Sequence, residues 1–147
     1  MQISIIVPTF NEARCLSETL TQIQQLSPHQ LIVSDGGSND NTIEIAKNFT
    51  EFVIKGPSGR APQMNAGAQI ATGNIFLFLH ADSRIEPASY KKMLHSMKNP
   101  EKIGGAFSLC IDSEKWSLKL ITRLANIRSK YLGMAYGDQA FFVKSSI

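Results

Sequence analysis

Apolar residues in this chain come in short continuous runs, each stopped by a polar or glycine-bearing turn. Between the runs they recur at helical spacing. The first run is Ile3-Ser4-Ile5-Ile6-Val7, closed by Pro8, and it reads as a strand buried on both faces. A helix is expected from about Glu12, with Leu16, Leu20 and Ile23 on one face, Asn11 as N-cap and Glu12 at the positive end of the dipole. Leu31-Ile32-Val33 is a second buried strand. It runs into Ser34 to Thr42, a turn whose two glycines let backbone pass close to a ligand. Asn41 and Glu44 have capping-box spacing for a helix that buries Ile43, Ala46 and Phe49. Phe52-Val53-Ile54 is a third strand. Gly56 to Arg60 is a loop, and Pro62 suits the first turn of the helix that follows. That helix carries Ala61, Ala66, Gly67, Ala68 and Ala71, small residues that fit close packing on the sheet or under a ligand, and Gly73 is its expected stop.

The fourth run, Ile75-Phe76-Leu77-Phe78-Leu79, is too short to span a membrane and ends abruptly in His80-Ala81-Asp82-Ser83. Pro87 then starts a helix with Tyr90, Leu94 and Met97 on one face, ended by Asn99-Pro100. Strand and helix alternate four times, which argues for an α/β domain with a mainly parallel sheet and right-handed crossovers. The rhythm changes after Pro100. Ile103 to Ile111 reads as a strand with a glycine bend. A helix over 113–131 repeats Trp116, Leu120, Leu124 and Ile127 at helical spacing, with Lys115, Lys119 and Arg123 on a neighbouring stripe. A final strand covers Ala140 to Val143, and the chain stops at Ile147 with no closing helix expected.

Composition narrows the class without deciding it. The 147 residues, 43% of them hydrophobic and 18% charged, suit one domain with a real core. A net charge of +3 fits anionic partners such as nucleotide phosphates or a membrane surface; no nucleic-acid partner is expected. Cys15 and Cys110 lie far apart without metal-type spacing, and the N-terminus shows no signal-peptide pattern, so a reduced, cytoplasmic protein is expected. The basic amphipathic helix 113–131 offers a face for peripheral contact with the inner side of the membrane. Equally, its apolar stripe can pack on the sheet.

The candidate chemistry follows from the parallel sheet. Glu12, Asp35 and Asp82 each follow a strand, so all three fall at one edge, where open α/β sheets bind ligands. Core packing does not explain that convergence, because unpaired carboxylates are costly to bury. Asp35 can accept from a base or sugar N–H or O–H, or cap its turn. Asp82, with His80 one residue away from it across Ala81, can ligate a divalent cation that carries phosphate oxygens. His80 can equally contact phosphate or fill space. Arg60, before a helix N-terminus, can meet a pyrophosphate. Asp40 reads as a turn or helix-start residue, and His29 and His95 as surface residues.

Three of these stretches, in this order, resemble glycosyltransferase family 2 with the GT-A fold. They are Ile5-Ile6-Val7-Pro8-Thr9-Phe10-Asn11-Glu12, Val33 to Thr42, and Leu79-His80-Ala81-Asp82. Within that family, Gly59 to Gly67, His80-Ala81-Asp82 and Tyr136-Gly137-Asp138-Gln139 look like the bacterial branch associated with radical-SAM or selenodomain genes. The resemblance implies a Rossmann-like, mainly parallel sheet flanked by helices. It divides the single domain into a nucleotide-sugar-binding half, 1–99, and the start of an acceptor half, 100–147. It implies an inverting transfer from a nucleotide-diphosphate sugar, commonly a UDP-sugar, to an unidentified acceptor hydroxyl, with Mn²⁺ or Mg²⁺. Pro8, Thr9, Glu12, Asp35, Gly37, Arg60, Asn65 and Ala81 would line the donor site, with Asp35 on the base. Asp82, with His80 in place of the motif's first acid, would hold the metal. The family's general base usually lies on a helix after the final strand seen here, which would put it beyond Ile147. The chain is therefore expected to be incomplete at its C-terminus, and Asp138 is the remaining carboxylate for that role. Exposed surface there would favour homo-oligomers. The alternative is a catalytically silent nucleotide-sugar-binding or regulatory module. A sugar-phosphate nucleotidyltransferase would need a glycine-rich basic loop after the first strand, and a dehydrogenase its Gly-x-Gly-x-x-Gly; neither is present.

Overall fold

In chain order the elements are β1 (Ile3–Thr9), α1 (Leu16–Gln25), β2 (Gln30–Asp35), α2 (Thr42–Lys47), β3 (Val53–Lys55), α3 (Arg60–Gln69), β4 (Ile75–Phe78), α4 (Pro87–Ser96), β5 (Gly104–Ala106) and β6 (Phe141–Lys144). The structure is a computed structural model that describes residues 1–108 and 140–146. All seven residues of β1 are buried, so this strand lies inside a sheet covered on both faces. The strand order is β3-β2-β1-β4-β6-β5. β1 pairs in parallel with β2 and β4, and β2 with β3. β6 runs antiparallel between β4 and β5, so the sheet is mainly parallel with an antiparallel edge.

Alternate residues of β1 feed two cores. Ile3, Ile5 and Val7 join Leu16, Leu20 and Ile23 of α1, Ala46 of α2, and Tyr90 and Met93 of α4. Ile6 joins Ile32, Met64 of α3 and Phe78 on the other face. The small residues of α3 serve close packing on the sheet: a Cβ at Gly67 would lie 2.5 Å from Ile6 Cγ2. From β1 the chain winds outward through β2 to β3, then returns by α3 across the opposite face to place β4 on the other side of β1. The winding direction therefore reverses between β1 and β4, where doubly wound sheets open a ligand crevice.

Several local expectations are corrected. α1 begins at Leu16 rather than Glu12, and Asn11 is not its cap. Asn11 adopts φ 55°, whereas an N-cap needs extended backbone. Residues 12–15 instead form a turn in which the Cys15 and Leu16 N–H groups both donate to the Glu12 carbonyl, at 3.2 and 3.0 Å. The Asn41–Glu44 capping box is not made, since Asn41 makes no side-chain cap bond. Asp40 takes that place, accepting the Thr42 N–H at 3.0 Å and also the Thr42 hydroxyl. α3 stops at Gln69, short of Gly73; Gly73 instead passes against β1, where a Cβ would lie 2.7 Å from the Ser4 nitrogen. The third and last strands each sit one residue later than expected. Of the expected Ile103–Ile111 strand, Gly104–Ala106 is regular, and residues 109–111 lie outside the described residues. The helix 113–131, Cys110, Asp138 and Ile147 lie outside the described residues.

Candidate functional site

β1 and β4 stay in register from Ile3↔Ile75 to Ile6↔Phe78. A last bond joins the Leu79 N–H to the Ile6 carbonyl at 3.0 Å. β1 then continues alone on that side to Thr9, while β2 stays paired with it as far as Thr9↔Asp35. The divergence opens a cleft at the carboxyl edge. Pro8, Thr9, Phe10 and Glu12 line it from the β1 end, His80, Ala81 and Asp82 from the β4 end, and Arg60 and Gln63 from α3. Its empty volume is about 360 Å³, open mouth included.

The loops after β1 and β2 are bound to each other. The Asn11 N–H donates to Ser38 Oγ and the Asn39 N–H to Asn11 Oδ1, both at 2.8 Å. The Glu12 N–H donates to Thr42 Oγ1 at 2.8 Å, and the Ala13 N–H to Asp40 Oδ2 at 3.2 Å. The left-handed turn at Asn11 is what aims these successive N–H groups at the second loop. Hydrogen bonding to Thr42 also holds the Asp40 carboxyl below its ordinary range.

Asp35 is 1% exposed and braces this assembly from beneath. Its Oδ1 accepts the N–H groups of Gly37 and Ser38 at 2.8 Å each, and its Oδ2 accepts the Ser38 and Thr9 hydroxyls, the latter at 3.1 Å. Those four donors match the acceptor capacity of a carboxylate and account for a charge buried this deeply. Asp35 is thus placed under the loop after β2 rather than along the cleft lining. A ligand N–H reaching it would have to share an oxygen with Ser38 or Thr9. Gly37 stands in the same loop at φ 98° with open space around it, so backbone conformation rather than crowding requires glycine there.

Gln63, which the sequence reading passed over, is 3% exposed. Its Nε2 donates to the Thr9 carbonyl at 2.6 Å and the Ser34 carbonyl at 2.9 Å. One amide thus clamps the ends of two adjacent strands from above. The available signal was a polar residue four positions before Gly67, on the face that α3 buries. Arg60 is the first residue of α3 and exposed at the cleft. Asn65 is exposed on α3 but outside the cleft lining.

Asp82 is exposed, with a 3.4 Å hydrogen bond from Ser83 Oγ, and His80 is buried along the same cleft. Among the described residues no three His, Cys, Asp or Glu side chains gather as a metal cluster. The Cys15 thiol donates to Glu12 Oε2 at 3.3 Å. Burial, that hydrogen bond, and the negative charges of Glu12 and Asp82 push it from 9.0 up to about 11. The cleft lining thus carries two carboxylates, Glu12 from the β1 end and Asp82 from the β4 end, and the Arg60 guanidinium from α3.

The fold has clear relatives. The solved structures most like this chain include a mannosyltransferase from Pyrobaculum calidifontis in complex with GDP-Man and Mn²⁺. It has a TM-score of 0.74 and 21% identity over 97% of this chain and 44% of that one. Glucosyl-3-phosphoglycerate synthase of Mycobacterium tuberculosis, in complex with Mn²⁺, UDP and glucosyl-3-phosphoglycerate, gives a TM-score of 0.71 at 18% identity over 99% of this chain and 57% of that one. These likenesses establish the GT-A fold. In sequence, an uncharacterized glycosyltransferase of Nostoc sp. PCC 7120 is 26% identical over 71% of this chain and 35% of its own length. A PGL/p-HBAD biosynthesis glycosyltransferase of Mycobacterium bovis is 37% identical over 58% of this chain and 37% of its own. The chain thus spans about a third of the length of the curated relatives it matches. Among the described residues no helix is long and apolar enough to cross a membrane. The profile of Glycosyl transferase family 2 matches residues 4–145, nearly the whole chain, and the chain belongs to that family.

Proposed function

We propose that this chain carries the donor-binding part of an inverting glycosyltransferase, which moves a sugar from a nucleotide-diphosphate donor to an acceptor hydroxyl. The observation that supports this most is the convergence of Thr9, Glu12, Arg60, His80 and Asp82 on one cleft at the switch point of the sheet. Related structures hold UDP in one case and GDP-Man in another; the reading here favours a UDP-sugar.

The donor set fits Mn²⁺ or Mg²⁺. Such cations take one or two protein carboxylates and fill their remaining positions with water and substrate phosphates. Asp82, an exposed carboxylate with one long hydrogen bond, meets that requirement without a third acid, and His80 lines the same cleft. A cation held there would neutralise charge on the departing nucleoside diphosphate. Arg60 would pair with diphosphate oxygens. Pro8, Thr9 and Gln63 would seat the nucleoside end, with Asp35 and Gly37 shaping the loop beside it. The acceptor hydroxyl would attack the anomeric carbon from the face opposite the leaving group, with a carboxylate taking its proton. Asp138 is the candidate for that carboxylate within this chain and lies outside the described residues.

Calorimetric titration of UDP and of GDP, each with and without Mn²⁺, tests this reading. UDP should bind, and bind more tightly with Mn²⁺. Asp82→Ala should abolish that strengthening and leave the metal-free affinity in place. If neither nucleotide binds under any metal condition, the donor site is not functional and the reading fails.

A further inference from the structure

Thr19 lies in the middle of α1 and is 3% exposed. A threonine inside a helix often returns its hydroxyl to the carbonyl one turn back, as Thr21 does here to Ser17 at 2.8 Å. The Thr19 hydroxyl instead leaves its helix and donates to the Ala81 carbonyl at 2.6 Å, sixty-two residues away in sequence. Ala81 is the second residue of the turn His80–Ser83, which is closed by the Ser83 N–H on the His80 carbonyl at 3.1 Å.

In a four-residue turn the peptide between the two central residues has two main orientations. Passing from one to the other turns the central carbonyl to the opposite side and requires positive φ at the third residue. Asp82 is that third residue, and it is not among the described residues with positive φ. The Thr19 hydroxyl therefore grips the one carbonyl whose direction distinguishes the two forms. That same peptide carries the Asp82 Cα, so its orientation sets where the carboxylate points. An ion pair from Arg84 Nη2 to Glu18 Oε1 at 2.6 Å joins the next residues of the loop to the same helix. Its side chains are 62% and 60% exposed, so solvent weakens it, and the buried Thr19 contact is the one that defines geometry.

We infer that Thr19 is a positioning residue of the donor site: its hydroxyl locks the His80–Ser83 turn in the form that aims Asp82 into the cleft. The inference rests on the proposed role of Asp82 as a metal ligand. Thr19 itself does not line the cleft. Through it, the metal-dependent part of nucleotide binding depends on the seating of α1.

The test compares wild type with Thr19→Val, which keeps the shape but loses the donor, and Thr19→Ser, which keeps the donor. UDP affinity is measured by calorimetry with and without Mn²⁺, and the quantity read is the ratio of the two. Outer-shell partners typically contribute 10–100-fold to metal affinity, so Thr19→Val should cut the Mn²⁺ strengthening by at least about tenfold. Its metal-free UDP affinity should be unchanged, and Thr19→Ser should restore the ratio. A wild-type ratio in Thr19→Val overturns the inference, as does an equal loss with and without metal, or failure of the serine to rescue. Thr19→Ala serves in the same comparison if the valine variant does not fold. Hydrogen exchange at the Ser83 amide, read without metal or nucleotide, should speed up in Thr19→Val and return to normal in Thr19→Ser; unchanged exchange also overturns the lock. Absence of Mn²⁺-strengthened binding in wild type, with the exchange result as expected, would instead remove the functional reading and leave only the turn lock.

Discussion

Four donors converge on the Asp35 carboxylate, two backbone N–H groups and two hydroxyls. Replacing one oxygen by an amide group turns an acceptor into a donor facing donors. Asp35→Asn is therefore expected to lower the unfolding free energy by about 2–4 kcal/mol, read by urea denaturation. Unchanged stability would mean that the carboxylate does not hold the loop. Cys15 offers a second single-residue test. With its pKa at about 11 rather than 9.0, the folded chain keeps this thiol protonated to higher pH than the unfolded chain does. Its contribution to stability is thus constant below about pH 9 and is lost as pH rises to about 11. In a Cys110→Ser background, alkylation of native Cys15 by iodoacetamide should rise with a midpoint near pH 11, and Glu12→Gln should move that midpoint down. A midpoint at the ordinary thiol value would show that Cys15 is neither desolvated nor bonded to Glu12 as described. The sequence marked Asp35 and Asp82 both as acids after strands, and left Asp35 open between a ligand contact and a turn cap. It could not say that one is spent on its own loop and the other left exposed, because the difference lies in donors contributed by Thr9, Ser38 and Gly37 once the loop has closed.

At the scale of elements, α3 is held to the sheet by one close approach and one polar clamp. A methyl at Gly67 would meet Ile6 Cγ2 at 2.5 Å, and that carbon, on a β-branched side chain within a central strand, has little room to give. Gly67→Ala gains about 1 kcal/mol in helix propensity but overpacks at a cost of about 1–3 kcal/mol. A net loss of about 1 kcal/mol is expected, and a stabilised variant would show that the helix can lift off the sheet freely. The clamp is Gln63, whose amide serves two strand-end carbonyls. Gln63→Met keeps the length and strands both carbonyls, so stability should fall by about 2–4 kcal/mol. Metal-free nucleotide affinity should fall with it, because Thr9 moves with its carbonyl. Wild-type nucleotide affinity in a folded Gln63→Met protein would separate the clamp from the site. The alanine and glycine content of α3 announced close packing. Gln63 stayed hidden because a lone glutamine in a helix is ordinarily a solvated residue, and its two acceptors belong to other strands.

For the whole molecule, the site exists because the winding of the sheet reverses between β1 and β4, and β4 leaves β1 after Leu79. The cleft joins segments from the N-terminal strand, from α3 and from the turn after β4, so a ligand bound there ties together parts that unfolding would separate. Nucleotide with Mn²⁺ at a hundredfold excess over its dissociation constant should raise the unfolding free energy by about 2.7 kcal/mol. In Asp82→Ala the increment at the same concentrations should shrink to what metal-free nucleotide provides. An equal increment in both proteins would remove Asp82 from the metal site.

Much of this was decided by residues near one another in the chain. Continuous apolar runs of strand length and apolar residues at helical spacing determine where β1, β2, β4, α1 and α4 form, since burial of one face is a local requirement. Family membership likewise lay in three short stretches, each local. The tertiary structure alone decided which polar groups meet. Thr9 with Asp35 spans 26 residues, Gln63 with Thr9 spans 54, and Thr19 with Ala81 spans 62. It also decided that Asn11 turns left-handed to join a second loop instead of capping its own helix, and that the last strand enters antiparallel. A hydrogen bond is made by whichever donor and acceptor the packed backbone brings within about 3 Å at a workable angle, and no spacing in the sequence carries that distance.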